Sequence, residues 1–174
     1  RSSLRTVLFS LRKQFECSDG DSFLGSDRSH VWIVREHAVT DYAAFVRTFK
    51  AAEALQDIEV QFEANKEAVA LVQGTLLAGH EELWATPHQI AFEEMYSQCI
   101  VDLIGTYSEN RRFEEAAAIG KVALTLSPYR EDIHVALIRS LNKSGRSTEA
   151  IRQFEVLERL LDEQWGESPS IEAV

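Results

Sequence analysis

Arg1, Arg5, Arg12 and Lys13 stand in the first 15 residues without one acidic side chain among them. That segment carries +4, whereas the rest of the chain carries −14. Cations displayed on a short helix can meet phosphate oxygens, and arginine can also reach the acceptor edge of guanine. Leu4, Leu8, Leu11 and Phe15 recur at the i, i+4, i+7, i+11 spacing of one buried stripe. Such a stripe turns Arg1, Arg5, Thr6, Arg12 and Lys13 to the opposite face, as candidate nucleic-acid contacts. A solvated helix face is the competing reading, because four cations in 15 residues are ordinary.

Other chemistry finds no constellation. His30, His37, His80, His88 and His134 are scattered with no H-x-x-x-H pair, so no metal site is expected. Asp19 and Asp21 flank Gly20 but lack the further ligands of a calcium loop; a turn is the simpler reading. His80-Glu81-Glu82 is a polar loop with no partner for general-base work. No nucleophile elbow, phosphate-binding glycine loop or dinucleotide fingerprint is present. Neither an enzyme nor a cofactor is expected. Cys17 and Cys99 have no metal or redox spacing and read as free thiols of a reducing cytoplasm. No apolar run approaches the ~20 residues that span a bilayer, and no secretory signal is recognisable. The chain starts at Arg1 instead of Met, so it is expected to be a piece of a longer protein.

The elements that must position these residues follow from periodicity and breakers. A helix over 2–15, capped by Ser2 or Ser3, is broken by the turn residues at 17–21. Phe23-Leu24, the turn Gly25-Ser26-Asp27, and Val31-Trp32-Ile33-Val34 read as a β-hairpin. From Thr40 onward only helices are expected. One starts at Thr40 and Asp41 and carries Tyr42, Phe45, Val46 and Phe49 on a stripe. A second covers about 57–72 with Val60, Phe62, Ala64, Ala68 and Leu71. Thr86-Pro87-His88-Gln89 predicts a capped start: Thr at the cap, Pro at N1 and Gln closing a capping box. That helix runs to about Tyr107. Phe113–Leu126, Glu131–Lys143 and 147–164 follow, with Gly145 suited to a left-handed C′ position.

Within these helices the sequence repeats. Glu114-Glu115-Ala116 recurs 34 residues later as Thr148-Glu149-Ala150, Leu103 as Leu137, Tyr107 as Leu141 and Ala123 as Leu157. A period of 34 with small residues at the crossing is the signature of tetratricopeptide helix pairs. Such pairs stack on neighbours and present a concave surface to other proteins. By repeat position Asp102, Glu109, Asp132, Arg139, Asn142 and Lys143 would face that groove, against the plain alternative of a solvated surface. Ala116, Ala123 and Ala150 are packing residues, and Tyr107 and Phe154 belong with the core.

The last third resembles a known family closely. Pro128-Tyr129-Arg130-Glu131-Asp132-Ile133-His134 and Gly145-Arg146-Ser147-Thr148-Glu149-Ala150 are similar to the P-x-R-E-x-x-H and G-R-x-x-E-A segments of the bacterial transcriptional activator domain. Trp165-Gly166-Glu167-Ser168-Pro169-Ser170 resembles its L-G-x-x-P-S ending, with Trp where Leu is usual. This is the all-helical module of the antibiotic-regulatory-protein (SARP) class. Asp41 with Phe45 and Phe49, and Gly74-Thr75-Leu76-Leu77 with Trp84, resemble its earlier helices and loop.

The resemblance implies that an OmpR-type winged helix precedes the module. Residues 3–13 are similar to its recognition helix and 22–34 to its wing, with His30-Val31 where Gly-Tyr is usual. The implied organisation is a partial winged-helix domain over 1–35 and a tetratricopeptide-like activator domain over 36–174. The expected fold is mainly α: antiparallel helix pairs in an α-solenoid, with a short N-terminal helix plus β-hairpin from a winged helix. The expected function is that of a cytoplasmic, DNA-binding transcription regulator. It would bind promoter DNA through the complete winged helix and contact RNA polymerase, a partner regulatory domain or a second protomer, with no membrane. The alternative is a scaffold or sensor module regulating an adjoining ATPase or cyclase domain.

Overall fold

The computed structural model describes residues 2–14, 24–34, 36 and 38–170, with side chains from Arg5 onward. Arg1, Phe15, the turn expected at 17–21, Phe23 and His37 lie outside them, as do the capping side chains of Ser2 and Ser3. The chain divides into two compact units, Arg1–Ala43 and Ala44–Val174.

In the first unit, helix α1 (Ser2–Gln14) is followed by strands β1 (Leu24–Ser26) and β2 (Val31–Ile33), paired antiparallel. Leu8 and Leu11 are half-buried, as the apolar stripe requires. The hairpin turn lies beyond the expected Gly25-Ser26-Asp27: Gly25 and Ser26 pair with Trp32 and Val31, and the reversal is made by residues 27–30. Asp27 drives it. Its Oδ1 accepts the backbone N–H groups of Ser29 and His30, both at 2.7 Å, while Asp27 N–H donates to His30 C=O at 3.0 Å. A short carboxylate bonding its own downstream backbone is the usual reason for aspartate in a turn. Gly25 serves the strand instead. A Cβ there would lie 2.3 Å from the Trp32 indole, so only glycine lets that ring cross β1.

Six helices follow: α2 (Asp41–Glu53), α3 (Ile58–Ala70), α4 (Thr86–Glu109), α5 (Phe113–Leu126), α6 (Glu131–Lys143) and α7 (Ser147–Trp165). The division between the units falls within α2. Thr40 Oγ1 accepts Ala43 N–H at 3.1 Å and starts that helix. Phe45 and Phe49 are buried, and Phe45 meets Phe92 of α4 edge to face at 5.0 Å. α3 begins one residue later than expected because Asp57 is its cap, accepting Glu59 and Val60 N–H at 2.9 and 3.2 Å. Its inner face also differs. Ala68 is buried and Phe62, Ala64 and Leu71 are half-buried as expected, but Val60 is exposed and Asn65 is buried in addition.

α4 is not opened by the expected capping box. Ala85 occupies the cap position without a side-chain bond, and a turn at 82–85 already supplies carbonyls: Glu82 C=O accepts Ala85 N–H at 2.8 Å. Gln89 is thereby released to another task. Its Nε2 donates to Leu77 C=O at 3.1 Å and His80 C=O at 3.0 Å, clamping the loop before the helix.

α3, α4, α5, α6 and α7 each pack on the next, and α4 also packs on α6. Sequential neighbours plus next-but-one neighbours make a solenoid-like stack, so the fold is mainly helical with a short N-terminal helix and a two-stranded hairpin. Residues 34 apart occupy equivalent sites: Leu103 and Leu137, Ala116 and Ala150, and Ala123 and Leu157 are all buried. Gly145 and Gly166 end α6 and α7 with φ of +77° and +67°, the left-handed conformation that a side chain would strain. No helix among the described residues is long and apolar enough to cross a membrane.

Candidate functional site

Each unit carries a candidate surface. On α1, Arg5, Thr6 and Lys13 are exposed, while Arg12 is half-buried. Arg12 turns toward the hairpin, where its Nη2 donates to Ser26 Oγ at 2.5 Å; its Nε is buried without a hydrogen-bond partner. Arg12 therefore braces the hairpin and departs from the solvent-facing position expected of it. Arg1 lies outside the described residues. Phe9, not among the expected contacts, is 70% exposed on the same helix. The hairpin turn adds exposed Arg28 and His30. A signal for Phe9 was available: it falls off the Leu4-Leu8-Leu11 stripe.

In the helical unit, a network of polar bonds gathers at the start of α6. Arg130 forks onto Asp132 (Nη2–Oδ2 2.6 Å, Nε–Oδ1 3.1 Å), and Ser97 of α4 donates to Asp132 Oδ2 at 2.5 Å. Burial acts to raise the Asp132 pKa, but the bonds from Arg130 and Ser97 hold it below its ordinary value. Asp132 thus fastens α6 to α4. Beside it, Val101, Val135, Ala136, Arg139 and Ser170 line a hollow of about 310 Å³. Of the residues expected at the groove, Asp132 and Arg139 meet here. Glu109, Asn142 and Lys143 are exposed but do not line the hollow. Asp102 is turned toward α3: it accepts Gln98 Nε2 at 2.8 Å and a bond from Asn65, and burial raises its pKa.

The motif residues act as struts. Arg146 forks onto Glu149 at 2.6 and 2.7 Å and reaches Glu114 of α5 at 3.0 Å, tying α7 to α5. Thirty-four residues earlier, Arg112 bonds Glu115 at 2.9 Å, a repeated pair that sequence reading had not isolated. His134 is fully buried. Its Nε2 donates to Pro128 C=O at 3.0 Å and its Nδ1 accepts from Gln153 Nε2 at 2.7 Å, which defines a neutral tautomer.

Burial holds the His134 pKa below its ordinary value, ahead of the opposing bond to Pro128. The sign of the linkage follows. An unfolded histidine protonates below about pH 6.5, while the folded one stays neutral, so protons favour the unfolded state. Stability should fall as pH drops from 7.5 to 5.5, by at most about 1.4 kcal/mol per pH unit. Urea unfolding across that window should show the loss in the wild type and less of it in His134→Gln.

A third surface escaped sequence reading. Leu83 is 94% exposed and, with Pro87, Ile90 and Ala91, borders an apolar depression at the start of α4.

Comparison with known proteins follows the helical unit. No curated protein gave a match. The family model of the bacterial transcriptional activator domain matches residues 40–173, from the cap of α2 to beyond α7. With well over half of its length in that match, the chain belongs to the bacterial transcriptional activator domain family.

Proposed function

We propose that this protein is a DNA-binding transcription regulator of the SARP class. In this reading α1 and the β1–β2 hairpin are the recognition helix and wing of a winged helix. The helical unit contacts RNA polymerase, a partner regulatory domain or a second protomer. What supports it above all is the division of chemistry along a chain of the activator family. An acid-free helix exposing Arg5, Thr6 and Lys13 precedes a strongly acidic helical body. An acidic surface repels phosphates over a Debye length of about 10 Å at 0.1 M salt, so DNA contact falls to the basic helix and protein contact to the body. Catalysis has no place in this reading.

Titration of the full chain with duplex DNA at a series of salt concentrations tests it. Arg5→Ala and Lys13→Ala should each weaken binding and flatten the log–log salt dependence by about one unit per lost phosphate contact. Wild-type affinity and slope in both variants would reject the DNA-binding role.

A further inference from the structure

Leu83, Thr86, Pro87, Ile90, Ala91 and Glu94 line the apolar depression of about 600 Å³ at the start of α4. Their steps of three and four residues place them on one stripe, which covers about 12 Å of helix axis from Thr86 to Glu94. The side of α4 that packs inward is a different one, carrying buried Phe92, Tyr96 and Cys99. Leu83 is 94% exposed and Ile90 is 53% exposed, so this second apolar side stays open in the helical unit. Its charge is one-sided. Between Lys66 and Arg111 the chain has seven acidic side chains and no lysine or arginine. Glu94 lines the depression, and exposed Glu81 and Glu82 immediately precede Leu83. Arg130 feels Glu93 and Glu94, but its guanidinium is committed to Asp132.

We propose that this depression docks a basic amphipathic helix of a partner protein, with apolar side chains in the depression and lysine or arginine facing Glu94 and its neighbouring acids. The inference deepens the reading that the helical body works through protein contacts, and adds to it a place and a partner chemistry. A straight apolar stripe on one helix accepts the side chains of another helix laid along it. Charge then selects the occupant. A second copy would bring the same acid-rich face against this one, like charge to like. An anionic membrane surface is repelled in the same way. A helix with cations beside its apolar anchors gains at both kinds of contact, and attraction at a distance speeds its encounter.

The test titrates the full chain by calorimetry with a synthetic amphipathic peptide of leucine and lysine, its leucines at i, i+3, i+4 and i+7. The same peptide with glutamate for lysine is the control. The lysine peptide should bind and the glutamate peptide should not. Leu83→Ala with Ile90→Ala should weaken binding about tenfold or more. Glu94→Gln should flatten the salt dependence of binding, whereas Glu158→Gln, at an exposed position on α7, should leave it unchanged. All four side chains are exposed, so circular dichroism should match the wild type. Equal binding by the wild type and the double variant, or no binding of the lysine peptide, would overturn the proposal and leave the recruitment reading to its own test at Arg139 and Lys143. Self-association of the wild type in sedimentation, lost in the double variant, would overturn it in favour of a second copy. Binding of phosphatidylserine vesicles through Leu83 and Ile90 would overturn it in favour of a membrane surface.

Discussion

Leu137→Ala is expected to lower the unfolding free energy by an amount toward the upper end of the ~2–5 kcal/mol range for a buried leucine. Leu137 is fully buried in α6, among Ala117, Ile138, Leu141 and Ala150, with Leu124 and Phe154 packed around them. Its neighbours on α5 and α7 include alanines, and Gly120 has no side chain at all. A Cβ on Gly120 would lie 3.5 Å from Leu137 Cδ1 and 3.1 Å from Ile104 Cδ1. Short side chains cannot swing into a vacated volume, so the cavity left by Leu137→Ala stays open and its lining loses dispersion contacts. Domains of this kind are stable by about 5–15 kcal/mol in total, which makes this a large fraction. Urea unfolding measures it. Ile151→Ala, at a 59% exposed position on α7, is the control and should stay within about 0.5 kcal/mol. A wild-type midpoint for Leu137→Ala would contradict the stacking of α5, α6 and α7 on this residue.

The helices were legible where burial alone decides. Ala116 and Ala150, Leu103 and Leu137 keep their 34-residue spacing because each pair fills the same crossing in successive helix pairs, and a packed crossing tolerates few residue types. Element starts were less legible because several groups compete for the same backbone N–H donors. Thr86 reads as a cap, yet a preceding turn at 82–85 had already supplied the carbonyls, leaving Gln89 to hold the loop. Asp27 and Asp57 show the same competition resolved in the side chain's favour.

In α3 the apolar pattern fails at one position and omits a polar one. Val60 is exposed while Asn65 is buried, because Asn65 faces Cys99 and Asp102 of α4, where its amide is bonded. Burial drives the Cys99 thiol up to about 12, so it behaves as a packing residue with little thiolate character. No spacing rule announces such a polar contact across helices.

The candidate surfaces were legible as charge and not as geometry. The acid-free segment marked Arg5 and Lys13, but Arg12 was counted with them although its guanidinium reaches back to Ser26. Helical phase places Arg12 beside Leu8 and Leu11, on the border of the buried stripe, and long side chains at such borders are free to fold inward. Asp132 and Arg139 share a hollow. Asp102, at a similar repeat position, is drawn to α3 by Asn65, a partner that the period of 34 does not describe.

Under the proposed function, the helical body activates through protein contacts while the basic helix holds DNA. Arg139 lines the hollow between α4 and α6, and Lys143 is exposed one turn further along α6. Replacing both by alanine changes surface positions whose usual cost is about 0.5 kcal/mol or less, so folding should be preserved, as thermal melting would verify. The decisive measurement is promoter occupancy and transcript level, taken together on the full-length protein with and without Arg139→Ala plus Lys143→Ala. A several-fold fall in transcript at unchanged occupancy is expected. Parallel loss of both, or unchanged transcript, would contradict it and remove this surface from recruitment.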